Sequence, residues 1–344
     1  MGGGIGETYP LQRLRRRRPR LLRGSQWTSN GTKAVCAGRA VNRANSAAAL
    51  LRWACAELAA LDDPRAEAEW LLAATLGCRR ATLHARLQEC PDETALQRLR
   101  ERVERRGRGE PLAYVLGSAE FWNLDLACDA RALVPRPETE LLVEWGLECL
   151  RGRTAPRVAD LGTGSGAIAL ALARDCPQAF VLGVERDAAA LQLAAENRRR
   201  YRATNLTLSR GDWLDALRAS SFELIVANPP YVAPGDPRLA PEVARFEPHA
   251  ALFAGADGLA ALRAIVVAAP HGLAPAGWLL CEHAPDQASA VRGLMIEAGL
   301  SEVSTRPDLA GHPRATGGRS ALLREHASPA RRATGRGWHH GNGP

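Results

Sequence analysis

From Arg157 onward, short hydrophobic runs that read as strands alternate with segments of helical period, and this alternation leaves few architectures open. Strands are expected at 157–161, 180–185, 206–209, 223–227, 277–281, 302–305 and 320–323, with helices at 167–174, 188–200, 258–269 and 285–298. A chain that repeats strand and helix in this way forms a doubly wound α/β sheet, largely parallel and covered by helices on both faces.

The first third reads differently. Ser46 is a plausible helix cap, and Leu50, Leu51, Ala54, Leu58 and Leu61 follow at spacings of three and four, laying one apolar stripe on a helix. A second helix fits 65–76, between Pro64 and Gly77. A third fits 92–106, with Leu96, Leu99 and Val103 inward and Glu101/Arg105 as a pair four residues apart. Narrow apolar faces of this kind must pack on one another, which predicts a small all-helical domain. A connector follows, in which 121–126 and Leu133-Val134 are expected to form a β-hairpin, and then a helix over 138–150. The expected division is an extension at 1–45, a helical domain at 46–118, a hairpin linker at 119–138, an α/β domain at 139–325 and a tail at 326–344.

The net charge of +8 suggests a nucleic-acid partner until it is placed along the chain. Residues 1–45 carry +9 and residues 326–344 carry +3, which leaves −4 on 46–325. A duplex-binding protein carries its positive stripe on the fold itself, so no direct nucleic-acid contact is expected from the folded part. The Arg-rich start (Arg15 to Arg18) is shared with transit peptides, but it is read here as a disordered extension or a start codon placed too far upstream. The eight cysteines are scattered singly, with no pair at metal-ligand spacing, so they read as small buried hydrophobes in a reducing compartment and no metal is expected. No apolar run approaches the roughly 18 residues that a membrane span needs.

The chemistry is concentrated where the first α/β strand ends. Asp160-Leu161-Gly162-Thr163-Gly164-Ser165-Gly166 runs from strand into a glycine turn that opens a helix, a backbone that lets a ligand approach without Cβ clashes. Gly162, Gly164 and Ala167 also satisfy the dinucleotide pattern, and Glu185 stands where a ribose-binding acid is expected, so these residues do not separate a nicotinamide cofactor from S-adenosylmethionine. Asp160, at the strand's end, is positioned to meet the cationic amino group of S-adenosylmethionine. Asp212 and Trp213 follow the third strand and border the same cleft, where Trp213 is either an adenine platform or a core anchor. The deciding motif is Asn228-Pro229-Pro230-Tyr231, directly after the fourth strand. Consecutive prolines fix φ and remove two donors while leaving rigid carbonyls. Asn228 Oδ1 and the Pro229 carbonyl can each accept one N–H of a flat NH₂ group, with the Tyr231 ring over its plane. A dehydrogenase has no use for this tetrapeptide.

Taken together, Gly109-Glu-Pro-Leu-Ala-Tyr, Glu120-Phe-Trp, Val134-Pro-Arg-Pro-Glu-Thr-Glu140, the glycine turn, Asn228-Pro-Pro-Tyr231 and Arg245-Phe-Glu-Pro248 occur in the order seen in the HemK/PrmC-type methyltransferases, which the chain resembles from about residue 46 to 325. The resemblance implies a class I S-adenosylmethionine methyltransferase sheet of seven mostly parallel strands, the last antiparallel. It implies methylation of the side-chain amide nitrogen of the glutamine in the Gly-Gly-Gln loop of class I peptide-chain release factors, with S-adenosylhomocysteine as the other product. By the same resemblance Gly162, Thr163, Gly164, Ser165, Gly166, Glu185, Trp213 and Asn228 line the cofactor and Asn228 to Tyr231 hold the glutamine, while Arg136 and Glu138 border the substrate cleft. A cytoplasmic monomer is expected. Two other readings stay open: a nucleic-acid amino-methyltransferase, whose acceptor is also a planar NH₂, and a non-catalytic module on the same fold.

Overall fold

The computed structural model describes residues 45–213 and 221–321; apart from Asn45, the extensions expected at 1–45 and 326–344 lie outside the described residues. Helices α1 (Ala47–Glu57), α2 (Pro64–Thr75) and α3 (Glu93–Gly107) each begin at an expected signal. Ser46 accepts the Ala49 N–H at 3.3 Å, Asp63 accepts that of Ala66 at 3.0 Å, and Asp92 accepts that of Ala95 at 2.7 Å. Each side-chain oxygen satisfies an N–H that the first helical turn leaves unpaired. Leu51, Ala54, Leu71, Leu72, Leu96, Leu99 and Val103 form a core of their own, to which the short α4 (Leu112–Leu116) adds Val115. The expected Glu101/Arg105 pair does not form. Arg105 turns instead to Glu110, which offers it two parallel hydrogen bonds, one of them 2.8 Å long. A bidentate partner wins over a single exposed one.

The hairpin joins β1 (Ser118–Phe121) to β2 (Leu124–Ala127), so its second strand is not Leu133-Val134. Val134 donates its N–H to the Glu247 carboxylate at 3.0 Å, which leaves it out of any strand pairing. At the tip, Trp122 takes a left-handed φ of 54°. Its backbone N–H donates to Glu140 at 2.6 Å and its indole N–H to Asp175 at 2.7 Å, tying the turn to the helices that follow.

Those helices and strands are α5 (Glu140–Cys149), β3 (Arg157–Leu161), α6 (Ala167–Asp175), β4 (Phe180–Glu185), α7 (Ala188–Tyr201), β5 (Leu206–Arg210), β6 (Phe222–Ala227), α8 (Pro241–Phe246), α9 (Ala260–Gly272), β7 (Leu273–Glu282), α10 (Ala288–Glu297), β8 (Ser301–Pro307) and β9 (Pro313–Arg319). The seven-stranded sheet has the order β5-β4-β3-β6-β7-β9-β8, with β9 antiparallel to both its neighbours. Side chains alternate across it. Val158, Leu224 and Val226 pack under α5 and α6, whereas Ala159, Leu161, Ile225 and Ala227 meet α9 and α10 on the other face. Because β3 lies between β4 and β6, the chain reverses its winding there. The crevice beyond the carboxyl ends of these strands is where such a sheet binds ligands.

Strand β9 ends at Arg319, so Ser320 and Ala321 of the strand expected at 320–323 are not part of it, and 322–323 lie outside the described residues. It pairs with β7 over Ala315–Arg319, and Thr316-Gly317-Gly318 within it shows no hydrophobic pattern because neighbouring side chains fill the space above it. A Cβ on Gly317 would stand 2.5 Å from Leu280 Cδ2 and 2.7 Å from the Trp145 ring. Gly317→Ala is therefore expected to destabilise the fold by about 1–3 kcal/mol through overpacking. Chemical denaturation would show this as a lower midpoint, and an unchanged midpoint would contradict the packing described.

Candidate active site

The turn after β3 is built from three left-handed glycines, Gly162 (φ 70°), Gly164 (φ 54°) and Gly166 (φ 84°). Its N–H groups are anchored to the next strand: Gly162 and Thr163 both donate to the Val184 carbonyl, at 2.9 and 3.0 Å. Gly164 donates to Glu185 Oε2 at 3.0 Å, and Asp187 donates to the other oxygen, Oε1, at 2.9 Å. Glu185 thus holds the loop shut while keeping lone pairs for a ligand. Gly166 begins α6 and faces inward: a Cβ there would stand 3.4 Å from Ala194 Cβ, and the residue is not on the cavity wall.

Asp160 is also absent from that wall. It is fully buried beneath the turn, where its Oδ2 accepts the Thr163 hydroxyl at 2.6 Å and the Ala169 N–H at 3.1 Å. Oδ2 thus supports the loop, while Oδ1 is buried without a hydrogen-bond partner among the described residues.

On the opposite wall, a Cβ on Gly162 would meet the Trp213 ring at 3.3 Å, so the indole packs against the bare glycine backbone. Trp213 packs against a core cluster and also lines the cavity. Asp212 lines the same cavity beside Arg186, 3.9 Å away. Gly162, Thr163, Gly164, Ser165, Glu185, Asp212, Trp213, Asn228 and Pro230 are brought together around one cavity of about 580 Å³, a size suited to a nucleoside-bearing small molecule.

A second cavity of about 470 Å³ takes Pro229 and Tyr231. Asn228, Arg136, Leu133 and Ala251 line both, so Asn228 stands at the junction. Its Nδ2 donates to Thr139 Oγ1 at 3.1 Å. Tyr231 donates its hydroxyl to Glu282 Oε1 at 3.3 Å, and its carbonyl accepts from Gln287 at 3.0 Å. Gly258 makes room for that carbonyl, since a Cβ would come within 2.4 Å of it.

Arg136 points at a protein partner. Its guanidinium pairs with Glu247, whose side chain is 1% exposed and also receives the Val134 N–H. The linker and the segment after α8 are clamped into one wall by this pair. Glu138 is exposed and lines neither cavity, whereas Val134, Pro135, Arg136 and Thr139 of the same motif line the first. Thr139, Glu247 and Glu282 were not singled out from the sequence. The first two sit inside the Val134–Glu140 and Arg245–Pro248 motifs, so that signal was available. Nothing in the local sequence marks Glu282.

Two buried carboxyls have a measurable consequence. Burial pushes Asp160 up to about 7, against the Thr163 and Ala169 hydrogen bonds; burial likewise pushes Glu282 up to about 7, against Thr139, Arg314 and Tyr231. Between about pH 4 and pH 7 the folded chain therefore keeps protons that the unfolded chain has released, and these groups lose stability as the pH rises. His283 works in the opposite sense, because burial lowers its pKa and the unfolded imidazole holds its proton longer. Two carboxyls outweigh one imidazole. The unfolding free energy of the ligand-free protein should fall from pH 5 to pH 7, and Glu282→Gln should flatten that slope. Denaturant titrations across the range check this, and a wild-type stability that rises with pH would contradict it.

Among the described residues no helix is long and apolar enough to cross a membrane, and no three His, Cys, Asp or Glu side chains are gathered as a metal would need. Residues 49–117 match the PrmC N-terminal domain and residues 138–245 the methyltransferase small domain. The release factor glutamine methyltransferase of Bordetella pertussis is 48% identical over 256 residues, covering 74% of this chain and 94% of that protein. The enzyme of the same name from Xylella fastidiosa strain Temecula1 is 46% identical over 255 residues, covering 74% and 93%. A solved structure, the release factor-specific protein-(glutamine-N5) methyltransferase of Alicyclobacillus acidocaldarius, is 27% identical and covers 55% of this chain and 94% of that one, with a TM-score of 0.35. With nearly the whole length of these relatives matched, and with the glycine turn and the Asn-Pro-Pro-Tyr segment facing adjoining cavities, the chain belongs to the release factor glutamine methyltransferase family.

Proposed function

We propose that this protein transfers the methyl group of S-adenosylmethionine to the side-chain amide nitrogen of the glutamine in the Gly-Gly-Gln loop of class I release factors, as a monomer in the cytoplasm. The observation that carries the reading is the place of Asn228: it lines both the cavity of the glycine turn and the adjoining cavity that holds Pro229 and Tyr231. A donor held in the first and an acceptor held in the second would meet at this side chain.

The residues around the first cavity suit the cofactor. Glu185 offers a carboxylate for ribose hydroxyls, the Trp213 ring a face for adenine, Asp212 an acceptor for its amino group, and the glycine turn a backbone without Cβ obstruction. Bound there, S-adenosylmethionine supplies an electrophilic methyl group on a sulfonium.

The protein's task is the acceptor nitrogen, a poor nucleophile because its lone pair is delocalised into the carbonyl. Asn228 Oδ1 and the Pro229 carbonyl accept its two N–H bonds, which favours a more pyramidal, electron-rich nitrogen as the new bond forms. Holding donor and acceptor in line supplies much of the remaining acceleration, up to ~7–11 kcal/mol in favourable cases. The rival nucleic-acid acceptor gains nothing from the named relatives, which are protein methyltransferases.

Incubation of purified release factor with this protein and methyl donor should add the mass of one CH₂ to the glutamine of the Gly-Gly-Gln peptide, as read by mass spectrometry; an unmodified glutamine would sink the proposal. Asn228→Ala should lower kcat by at least about 100-fold while the cofactor's Kd, measured by calorimetry, stays within a few-fold. Wild-type turnover by that variant would remove Asn228 from the mechanism.

A further inference from the structure

Three arginines line the second cavity, Arg136, Arg238 and Arg314, and each is held by an acid. Arg314 is the most enclosed of them, with a side chain 17% exposed and a partner, Asp308, only 5% exposed. The fold explains its place. Strand β9 runs antiparallel to β7, and Ala315 stands opposite Glu282, the last residue of β7. The first residues of β9 therefore lie at the edge where the parallel strands end and such a sheet binds ligands. The His283 N–H donates to the Arg314 carbonyl at 3.0 Å, which fixes the backbone there.

The turn from β8 to β9 fixes the side chain. Asp308 Oδ1 accepts the Ala310 and His312 N–H groups, each at 3.0 Å. Its Oδ2 accepts Arg314 Nε at 3.3 Å and Nη2 at 3.2 Å, so the guanidinium is gripped along one edge. Nη1 has no hydrogen bond among the described residues, and its N–H groups remain to donate. What they can take follows from charge and surroundings. Asp308 already neutralises the guanidinium, so the site suits an uncharged acceptor rather than an anion. Pro229, Val232, Leu239, Val243 and Leu252 make much of the cavity apolar. A peptide loop entering it would lose the hydrogen bonds its carbonyls make to water unless the wall replaces them. Two glycines bring such carbonyls with no side chain to cover them. The side-chain carbonyl of the glutamine is the wrong partner, because a cation donating to it would draw the nitrogen lone pair further into the carbonyl.

We propose that Arg314 is a substrate-binding residue that donates through Nη1 to a main-chain carbonyl oxygen of the release-factor loop, with Asp308 as its positioning residue. This rests on the reading that the loop enters the second cavity. Arg314 lines that cavity and not the one of the glycine turn, so its contact holds the loop equally in the ground and transition states.

Arg314→Met keeps the apolar stem and removes the donors, and Arg314→Met combined with Asp308→Asn also removes the carboxylate that would be left buried and unpaired. With S-adenosylhomocysteine present, calorimetry should show the Kd for release factor weakened about 10- to 100-fold in both, the worth of one hydrogen bond to a charged group. At saturating release factor kcat should stay within about threefold of wild type, as should the Kd for S-adenosylmethionine, which also reports an intact fold. Asp308→Asn alone keeps an oxygen for the turn and should weaken release-factor binding by less than Arg314→Met does. Wild-type affinity for release factor in the double variant, or a loss confined to kcat, would overturn the proposal. Ala240→Trp sets an indole into the second cavity alone and separates the two readings. If it binds and methylates release factor as wild type does, the reading of the cavity fails. If it loses release factor while the double variant does not, only the role of Arg314 fails.

Discussion

The site depends first on how the turn after β3 is tied to β4. Three glycines with left-handed backbone carry the chain from strand to helix without a side chain in the way, but such a turn has no rigidity of its own. Its N–H groups are satisfied by the Val184 carbonyl and the Glu185 carboxylate, both at the end of the neighbouring strand. Parallel pairing of β3 with β4 therefore does more than close the sheet: it brings to the loop the acceptors that set its shape. Asp160 completes the support from below through its Oδ2, which accepts from Thr163 and Ala169.

A second dependence links distant segments. Pairing of Arg136 with the nearly inaccessible Glu247 joins the linker to the stretch after α8, and Leu133, Arg136 and Ala251 from these two pieces line both cavities. A buried carboxylate without its guanidinium would be costly, so the pair enforces the wall's closure even if it adds little net stability. Tyr114 does similar work for the helices, donating its hydroxyl to the Ala132 carbonyl at 2.6 Å. The helical part, the linker and the sheet thus meet through polar contacts of definite direction rather than through apolar surface alone.

Where the sequence misled, neighbours had taken over a role that local pattern reserves for the residue itself. Ser320 and Ala321 were expected to open the last strand, yet β9 runs over Pro313–Arg319, where Leu280, Trp145 and Leu300 supply the bulk around Gly317 and Gly318. Leu133-Val134 has the composition of a strand but gives its backbone N–H to Glu247. Arg105 ignored the acid one turn away for the better geometry of Glu110. In each case the deciding partner is distant in sequence or depends on a chain direction that spacing cannot reveal.

Residue order alone marks the succession of elements, the caps that start the helices, the glycine turn, the acid at the end of β4 and the Asn-Pro-Pro-Tyr segment after β6. These follow from local chemistry: backbone freedom, missing donors and the two hydrophobic periods. It took the folded chain to set Asn228 between two cavities with its amide donating to Thr139, and to bring Glu282, at the end of β7, against the Tyr231 hydroxyl. The reason is physical. A side chain's orientation is set by the donors and acceptors that folding brings against it, and here those lie 89 residues away for Asn228 and 51 for Tyr231, adjacent only once the sheet has formed.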